Sequence, residues 1–145
     1  MLIHFWGTRG SLPYSVRTEE IREKIRLSLC HALEHGLSRK EEIDAFIDNN
    51  LPFSVKYGFG CNTPCVEIRG GPDFVICDAG TGLRDFGNYV MQHFTPPRVF
   101  HIFMSHLHWD HIQGFPFFIP AFVQGNTVHI YGAHSELESA FMKQQ

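Results

Sequence analysis

His106-Leu107-His108-Trp109-Asp110-His111 packs four metal-binding side chains into six residues, directly after the apolar run Val99-Phe100-His101-Ile102-Phe103-Met104. The run reads as a strand. In an extended chain side chains alternate in direction, so His106 and His108 point the same way and can grip one ion. Asp110 and His111 follow where the chain is expected to turn and can face a second ion beside the first. Imidazole suits Zn²⁺ and its transition-metal neighbours, and the carboxylate tolerates several of them. The chain has ten histidines and six aspartates in 145 residues. At that composition the pattern H-x-H-x-D-H arises by chance on the order of 0.002 times, which makes a merely histidine-rich surface turn a poor account of it. Helical zinc motifs put their histidines at i and i+4, a spacing this stretch does not have. The expectation is a two-ion site, or half of one, with His106, His108, Asp110 and His111 as ligands and Zn²⁺ ahead of Mn or Fe.

Ser105 through Gly114 resembles the signature loop of the metallo-β-lactamase fold superfamily, most of whose members are binuclear metal-dependent hydrolases. Three upstream segments are similar to its ribonuclease Z-like and phosphodiesterase-like branch: Gly7-Thr8-Arg9-Gly10-Ser11, Cys61-Asn62-Thr63-Pro64-Cys65-Val66-Glu67-Ile68, and Val75-Ile76-Cys77-Asp78-Ala79-Gly80-Thr81-Gly82. The resemblance spans nearly the whole chain except residues about 15–57, which resemble a family-variable helical insertion. It implies an α/β fold, the N-terminal half of an αββα sandwich, with residues 1–145 forming part of one domain. It also implies that the remaining ligands, two histidines and a bridging aspartate, come from elsewhere. A longer protein is the simplest source, and a homo-oligomer or a second chain is the other.

Asp78 ends an apolar strand and opens a glycine-rich turn. The family pattern gives it the task of holding a ligand histidine by its other ring nitrogen; the alternative is an aspartate that only forms the turn or caps the next helix. Arg9 and Asn62 lie in loops at strand ends, where the resemblance implies a substrate cleft, and Arg9 offers forked donors for a phosphate. The glycines around them serve tight turns equally well. Trp109 is expected to pack beneath its loop. Phe115, Phe117, Phe118 and Phe122 are expected to serve core and interface packing rather than base stacking.

A content of 43% hydrophobic and 19% charged residues is that of an ordinary globular domain. The net charge of −3 offers no basic face for a phosphate backbone. No segment reads as a signal peptide or a membrane span, so a cytoplasmic chain is expected. Cys30, Cys61, Cys65 and Cys77 form no CxxC pair and read as reduced thiols, with Cys77 a small core residue.

Along the chain the pattern predicts a strand over residues 2–6 and an amphipathic helix from Thr18 to about His35, carrying Ile21, Ile25, Leu29 and Leu33 on a packing face. A second helix is predicted from Arg39 to Asn49, opened by the box Ser38-x-x-Glu41. A hairpin of strands at Pro64–Arg69 and Phe74–Cys77 comes next, then a helix from Leu83 to His93, the strand into the metal motif, and a strand at Thr127–Tyr131. A final helix opened by Ser135-x-x-Glu138 is predicted to run to the end at Gln145.

These observations lead to a metal-dependent hydrolase with Asp110 as its catalytic carboxylate. The branch resemblance implies a phosphodiester substrate, and the absence of a basic surface favours a cyclic nucleotide or other small phosphodiester over an RNA 3′ end. The rival expectations are a thioester, lactone or amide hydrolase built on the same ligands, an iron redox member, and a fragment that lacks the closing ligands and catalyses nothing.

Overall fold

The computed structural model describes residues 1–58 and 60–144. The chain divides into two compact units, one formed by Met1–Tyr14 with Gly60–Gln145 and the other by Ser15–Phe59. The larger unit is α/β and holds a five-stranded mixed sheet in the order β1-β2-β3-β4-β5. Its strands are β1 (Leu2–Gly7), β2 (Cys65–Arg69), β3 (Phe74–Cys77), β4 (Val99–Phe103) and β5 (Thr127–Tyr131). β1 pairs antiparallel with β2 and β2 with β3, while β3, β4 and β5 run parallel. Four strands therefore share one direction, and only β2 opposes them. The carboxyl ends of β1, β3, β4 and β5 all emerge along one edge.

The strands alternate in what they bury. On one face lie Phe74, Ile76, Phe100 and Ile102, the last three fully buried, and they form the core with Leu83, Phe86 and Val90 of helix α4 (Gly82–His93). Those helical positions fall at i, i+3 and i+7, one stripe of a helix. Phe86 sits at the centre, with ring centroids 5.7 Å from Trp6, 5.6 Å from Phe74 and 5.9 Å from Phe118. Two short 3₁₀ turns, Phe115–Phe117 and Ile119–Phe122, bring Phe115 and Phe118 into this core and leave Phe117 and Phe122 at the surface. Helix α6 (Leu137–Met142) adds Phe141.

The opposite face carries Ile3, Phe5, Val66, Ile68, Val75, Cys77, Phe103 and Tyr131 by strand register. Of these, Ile3, Phe5, Phe103 and Tyr131 are each at least 40% exposed. Cys77 lies on that face, half-buried, rather than in the core as expected; Cys65 is the fully buried cysteine, and burial pushes its thiol far above the ordinary range. No disulfide joins the cysteines among the described residues.

The smaller unit contains α1 (Thr18–Glu34), α2 (Ile43–Asn50) and α3 (Phe53–Lys56). Lys24 donates to the carbonyls of Ser54 and Tyr57, closing the end of α3 onto α1, and His35 meets Phe46 edge to face at 5.7 Å. The expected packing face of α1 is corrected here: Ile21, Ile25, Leu29 and Leu33 are 49–82% exposed, and no residue of α1 is buried. The Ser38 box is also replaced. Arg39 stands at the N-cap of a 3₁₀ turn, Lys40–Glu42, and α2 begins only at Ile43. Likewise Glu136, not Ser135, precedes α6, which ends at Met142; the expected end at Gln145 lies outside the described residues. Among the described residues no helix is long and apolar enough to cross a membrane.

Phe86→Ala is expected to cost about 3–5 kcal/mol, because it removes a ring at the centre of a close-packed aromatic cluster. Urea unfolding followed by circular dichroism measures this. A loss below about 1 kcal/mol would mean that the core does not pack as described.

Candidate metal centre

The site is built at the carboxyl ends of β3 and β4, where parallel strands commonly present their ligands. After β4 the chain bends at Ser105 and runs through His106 to an extended His108; it then closes one turn of helix α5 (Trp109–Ile112), with the His111 amide donating to the His108 carbonyl at 2.9 Å. The turn swings His111 back over His106. Their ring centroids are 3.9 Å apart, and those of His106 and His108 are 4.5 Å apart. His111 Nε2 lies 3.4 Å from Asp110 Oδ2. All four motif residues therefore gather in one place.

Asp78 ties this loop to the end of β3. Its backbone is left-handed, with φ 63°, a conformation that costs a non-glycine residue energy and needs surrounding contacts to hold it. Those contacts are present. The Asp78 amide donates to the Phe103 carbonyl at 2.9 Å, and the carboxylate accepts from the Ser105 amide at 2.8 Å and from Ser105 Oγ. His111 Nδ1 lies 2.9 Å from Asp78 Oδ2. A carboxylate only accepts, so the shorter contact favours the His111 proton on Nδ1, while Nε2 faces the Asp110 side of the cluster. Ser105 has one hydrogen, already directed at Asp78, so its oxygen accepts from His106 Nδ1 at 3.0 Å. His106 then also presents Nε2. One buried carboxylate thus sets the tautomers of two imidazoles, one directly and one through a hydroxyl.

Backbone packing leaves no slack beneath the site. Ala79 N–H donates to the His111 carbonyl at 2.7 Å, and Gly114 N–H donates to the Ala79 carbonyl at 2.9 Å. A Cβ on Gly114 would stand 1.9 Å from the Gly80 oxygen, and one on Gly80 would stand 2.5 Å from both the Asp110 oxygen and Thr63 Oγ1. No side chain fits at either position. The buried Thr63 Oγ1 accepts the Thr81 amide at 2.7 Å, which joins the segment before β2 to the same turn.

The loop after β1 reaches the site through its backbone. Ser11, at φ 64°, donates its amide to Asp110 Oδ2 at 2.9 Å. That hydrogen bond, helped by the nearby His111 and His106, holds the Asp110 carboxyl below the usual carboxylate range. Arg9, two residues earlier, is exposed and lies 4.3 Å over the Tyr14 ring. Asn62 is used inside the fold: its amide donates to Asp85 Oδ2 at 2.6 Å, and its side-chain carbonyl accepts from Thr81 Oγ1 at 3.1 Å. Trp109 is 61% exposed rather than packed beneath the loop, because its helical turn points it outward. Sequence reading passed over Ser105, Ser11, Gly80 and Gly114. Of these only Ser105 had a visible signal, its place directly before the motif.

Among the described residues no three His, Cys, Asp or Glu side chains already stand where one ion would bond them all. The donor chemistry nonetheless suits a divalent transition metal: three imidazoles and a carboxylate in one loop, two of the rings with Nδ1 engaged and Nε2 available. No family model, curated protein or solved structure matches this chain.

Gly114→Ala and Gly80→Ala are each expected to lower stability by about 3 kcal/mol or more, or to prevent folding, since backbone atoms rather than flexible side chains occupy the space. Gly10→Ala, with nothing within 4 Å of the added carbon, is expected to be near neutral. Chemical denaturation of the three variants decides this, and a benign Gly114→Ala would refute the close approach. A second expectation follows from the lowered Asp110 carboxyl. Its folded pKa lies below its unfolded one, so its contribution is present above the unfolded value of about 3.9 and is lost as pH falls through the folded value. The stability lead of the parent over Asp110→Asn should therefore shrink as pH falls from about 5 to about 2, as melting temperatures across that range will report.

Proposed function

We propose that this chain carries part of the active site of a metal-dependent hydrolase of the metallo-β-lactamase-like class, acting on a small phosphodiester such as a cyclic nucleotide. The observation that carries the reading is the convergence of His106, His108, Asp110 and His111 above a carboxylate, Asp78, that orients two of the imidazoles. The ligands assigned to the ions are those four residues. Two divalent ions, Zn²⁺ in the first instance, supply Lewis acidity and an acidified water when bound. Asp78 and Ser105 hold Nδ1 of His111 and His106 and so fix how the two rings are aimed. The Ser11 amide keeps the Asp110 carboxyl ionised and fixed. Arg9 sits on the same loop as Ser11 and is the cation nearest in sequence to that contact, a suitable partner for an anionic substrate.

The one-sided sheet favours the same class. Helix α4 and the 3₁₀ turns cover one face, and the other presents exposed Ile3, Phe5, Phe103 and Tyr131 beside His101 and His129, side chains that a second sheet of an αββα arrangement would cover.

Elemental analysis of the purified chain, beside His106→Ala/His108→Ala, tests the reading when combined with hydrolysis of bis-p-nitrophenyl phosphate and of p-nitrophenyl esters. The expected result is bound transition metal in the parent, at least tenfold less in the variant, and phosphodiester turnover that follows the metal. Metal with ester but no phosphodiester turnover would move the assignment to a carboxylic-ester class. Absence of metal binding in the parent would sink it.

A further inference from the structure

The opposite end of the sheet holds a cavity of about 210 Å³, framed by the Gly70–Gly71 turn between β2 and β3 and by Arg98 at the start of β4. Its walls are aromatic. Phe74 and Phe94 meet edge to face at 5.1 Å, and Tyr89 lies 6.0 Å from Phe94. Arg69 also lines it, with its guanidinium 5.3 Å over the Tyr89 ring.

The cavity is lined by two acids, Glu67 and Asp73, and two bases, Arg69 and Arg98, which differ in how they are paired. Arg69 is fully engaged: its Nε lies 2.8 Å from Glu67 Oε1 and its terminal nitrogen 2.9 Å from Glu67 Oε2, while Trp6 Nε1 donates to the same carboxylate at 2.9 Å. Glu67 is therefore fully committed as well. Asp73 also borders the cavity, but by strand alternation it belongs to the other face of the sheet, where its carboxylate lies 3.5 Å from His101 Nε2. That leaves Arg98. Its guanidinium lies 5.6 Å from the Phe94 ring centroid, its Nε is buried with no hydrogen-bond partner, and no carboxylate pairs with it among the described residues. Its backbone is pinned, because its amide donates to Asn126 Oδ1 and its carbonyl accepts from Thr127. A buried, unsatisfied N–H on a charged group is expensive unless something accepts from it.

We propose that this cavity binds a small aromatic carboxylate, with the Arg98 guanidinium receiving the carboxylate and the Phe74, Tyr89 and Phe94 rings receiving its flat body. Arg69 is paired with Glu67, whereas Arg98 has no carboxylate partner among the described residues and can take an added one. A planar fork of donors pairs bidentately with a carboxylate, and the aromatic lining suits a ligand with a flat apolar body. The site lies at the far end of the sheet from the histidine cluster, so its occupancy is independent of the metal reading.

The test follows the arginine Nε–H signals of the ¹⁵N-labelled chain by NMR while benzoate is added to about 20 mM at constant ionic strength. Its neutral analogue benzamide and inorganic phosphate serve as parallel titrants. The expected result is a saturable shift of the Arg98 Nε–H with benzoate and none with benzamide. Affinity should fall at least tenfold in Arg98→Gln and less in Arg98→Lys, which keeps the charge and loses the fork. The Arg98 signal of the parent distinguishes this cavity from anion binding at Arg9, and Arg98→Lys serves if Arg98→Gln does not fold. An unmoved Arg98 signal, equal binding of benzamide, a response to phosphate alone, or benzoate binding retained in Arg98→Gln would each overturn the proposal.

Discussion

The Asp78 carboxylate is the contact on which the rest of the site depends. It sits at the end of β3 in a left-handed backbone conformation and fastens three groups that follow β4: the Ser105 amide, the Ser105 hydroxyl and His111 Nδ1. The strain at Asp78 is of order 1–3 kcal/mol, and several charge-assisted hydrogen bonds, worth about 1.5–3 kcal/mol each, offset it. The geometry is also directional. By strand alternation an extended Asp78 would turn its carboxylate to the face that carries Phe74 and Ile76, so the left-handed backbone is what lets this side chain reach the neighbouring loop. Without that link the His106 and His111 rings would be free to turn, and neither would have a defined nitrogen to offer.

Much of this was legible in the sequence, for reasons that differ from element to element. β3 and β5 fall at Phe74–Cys77 and Thr127–Tyr131, where apolar alternation bounded by turn residues leaves little freedom. The gathering of the motif was legible because the four residues are close in the chain. The caps were not: Ser38 and Ser135 fit a capping box by spacing, yet Arg39 and Glu136 hold the N-cap positions, since spacing carries no information about which residue leaves the helical conformation. The α1 stripe was not a packing face: an apolar stripe records only what a helix can cover, and Ile21, Ile25, Leu29 and Leu33 are 49–82% exposed while Lys24, Leu27, Ser28 and His31 lie on its less exposed side. The Ser11 amide bond to the Asp110 carboxylate and the Gly80–Gly114 approach were not assigned for a simpler reason: they join segments about 99 and 34 positions apart through backbone groups, which every residue carries.

Sheet direction explains why such distant segments meet. Because β1 is antiparallel to β2, and β2 to β3, β1 runs with β3, β4 and β5. The segments that follow β1, β3 and β4 therefore leave from the same edge: Ser11 from the first, Asp78 and Gly80 from the second, the histidine motif from the third. β2 runs the other way, so the residues that precede it, Asn62 and Thr63, arrive at this edge too. They are spent as internal clamps, Asn62 on Asp85 and Thr81, Thr63 on Thr81. One reversed strand thus converts an edge of four strand ends into a floor with its own cross-ties.

The same topology separates the two polar features of the larger unit by the length of the strands. At the edge where strands end, the Asp78 carboxylate, the Ser105 hydroxyl and the Nδ1 atoms of His106 and His111 are joined in one hydrogen-bonded network. At the edge where β4 begins, Arg98 is fixed in its backbone and unmatched in its side chain. These are opposite electrostatic states. A closed network with free imidazole lone pairs is arranged to receive a cation. A half-buried guanidinium beside an aromatic ring, without a carboxylate partner, is suited to receive an anion. Since one sheet fixes both ends, a change that tilts β4 against β3 would alter the two together, whereas a change confined to either set of side chains would leave the other end as it is.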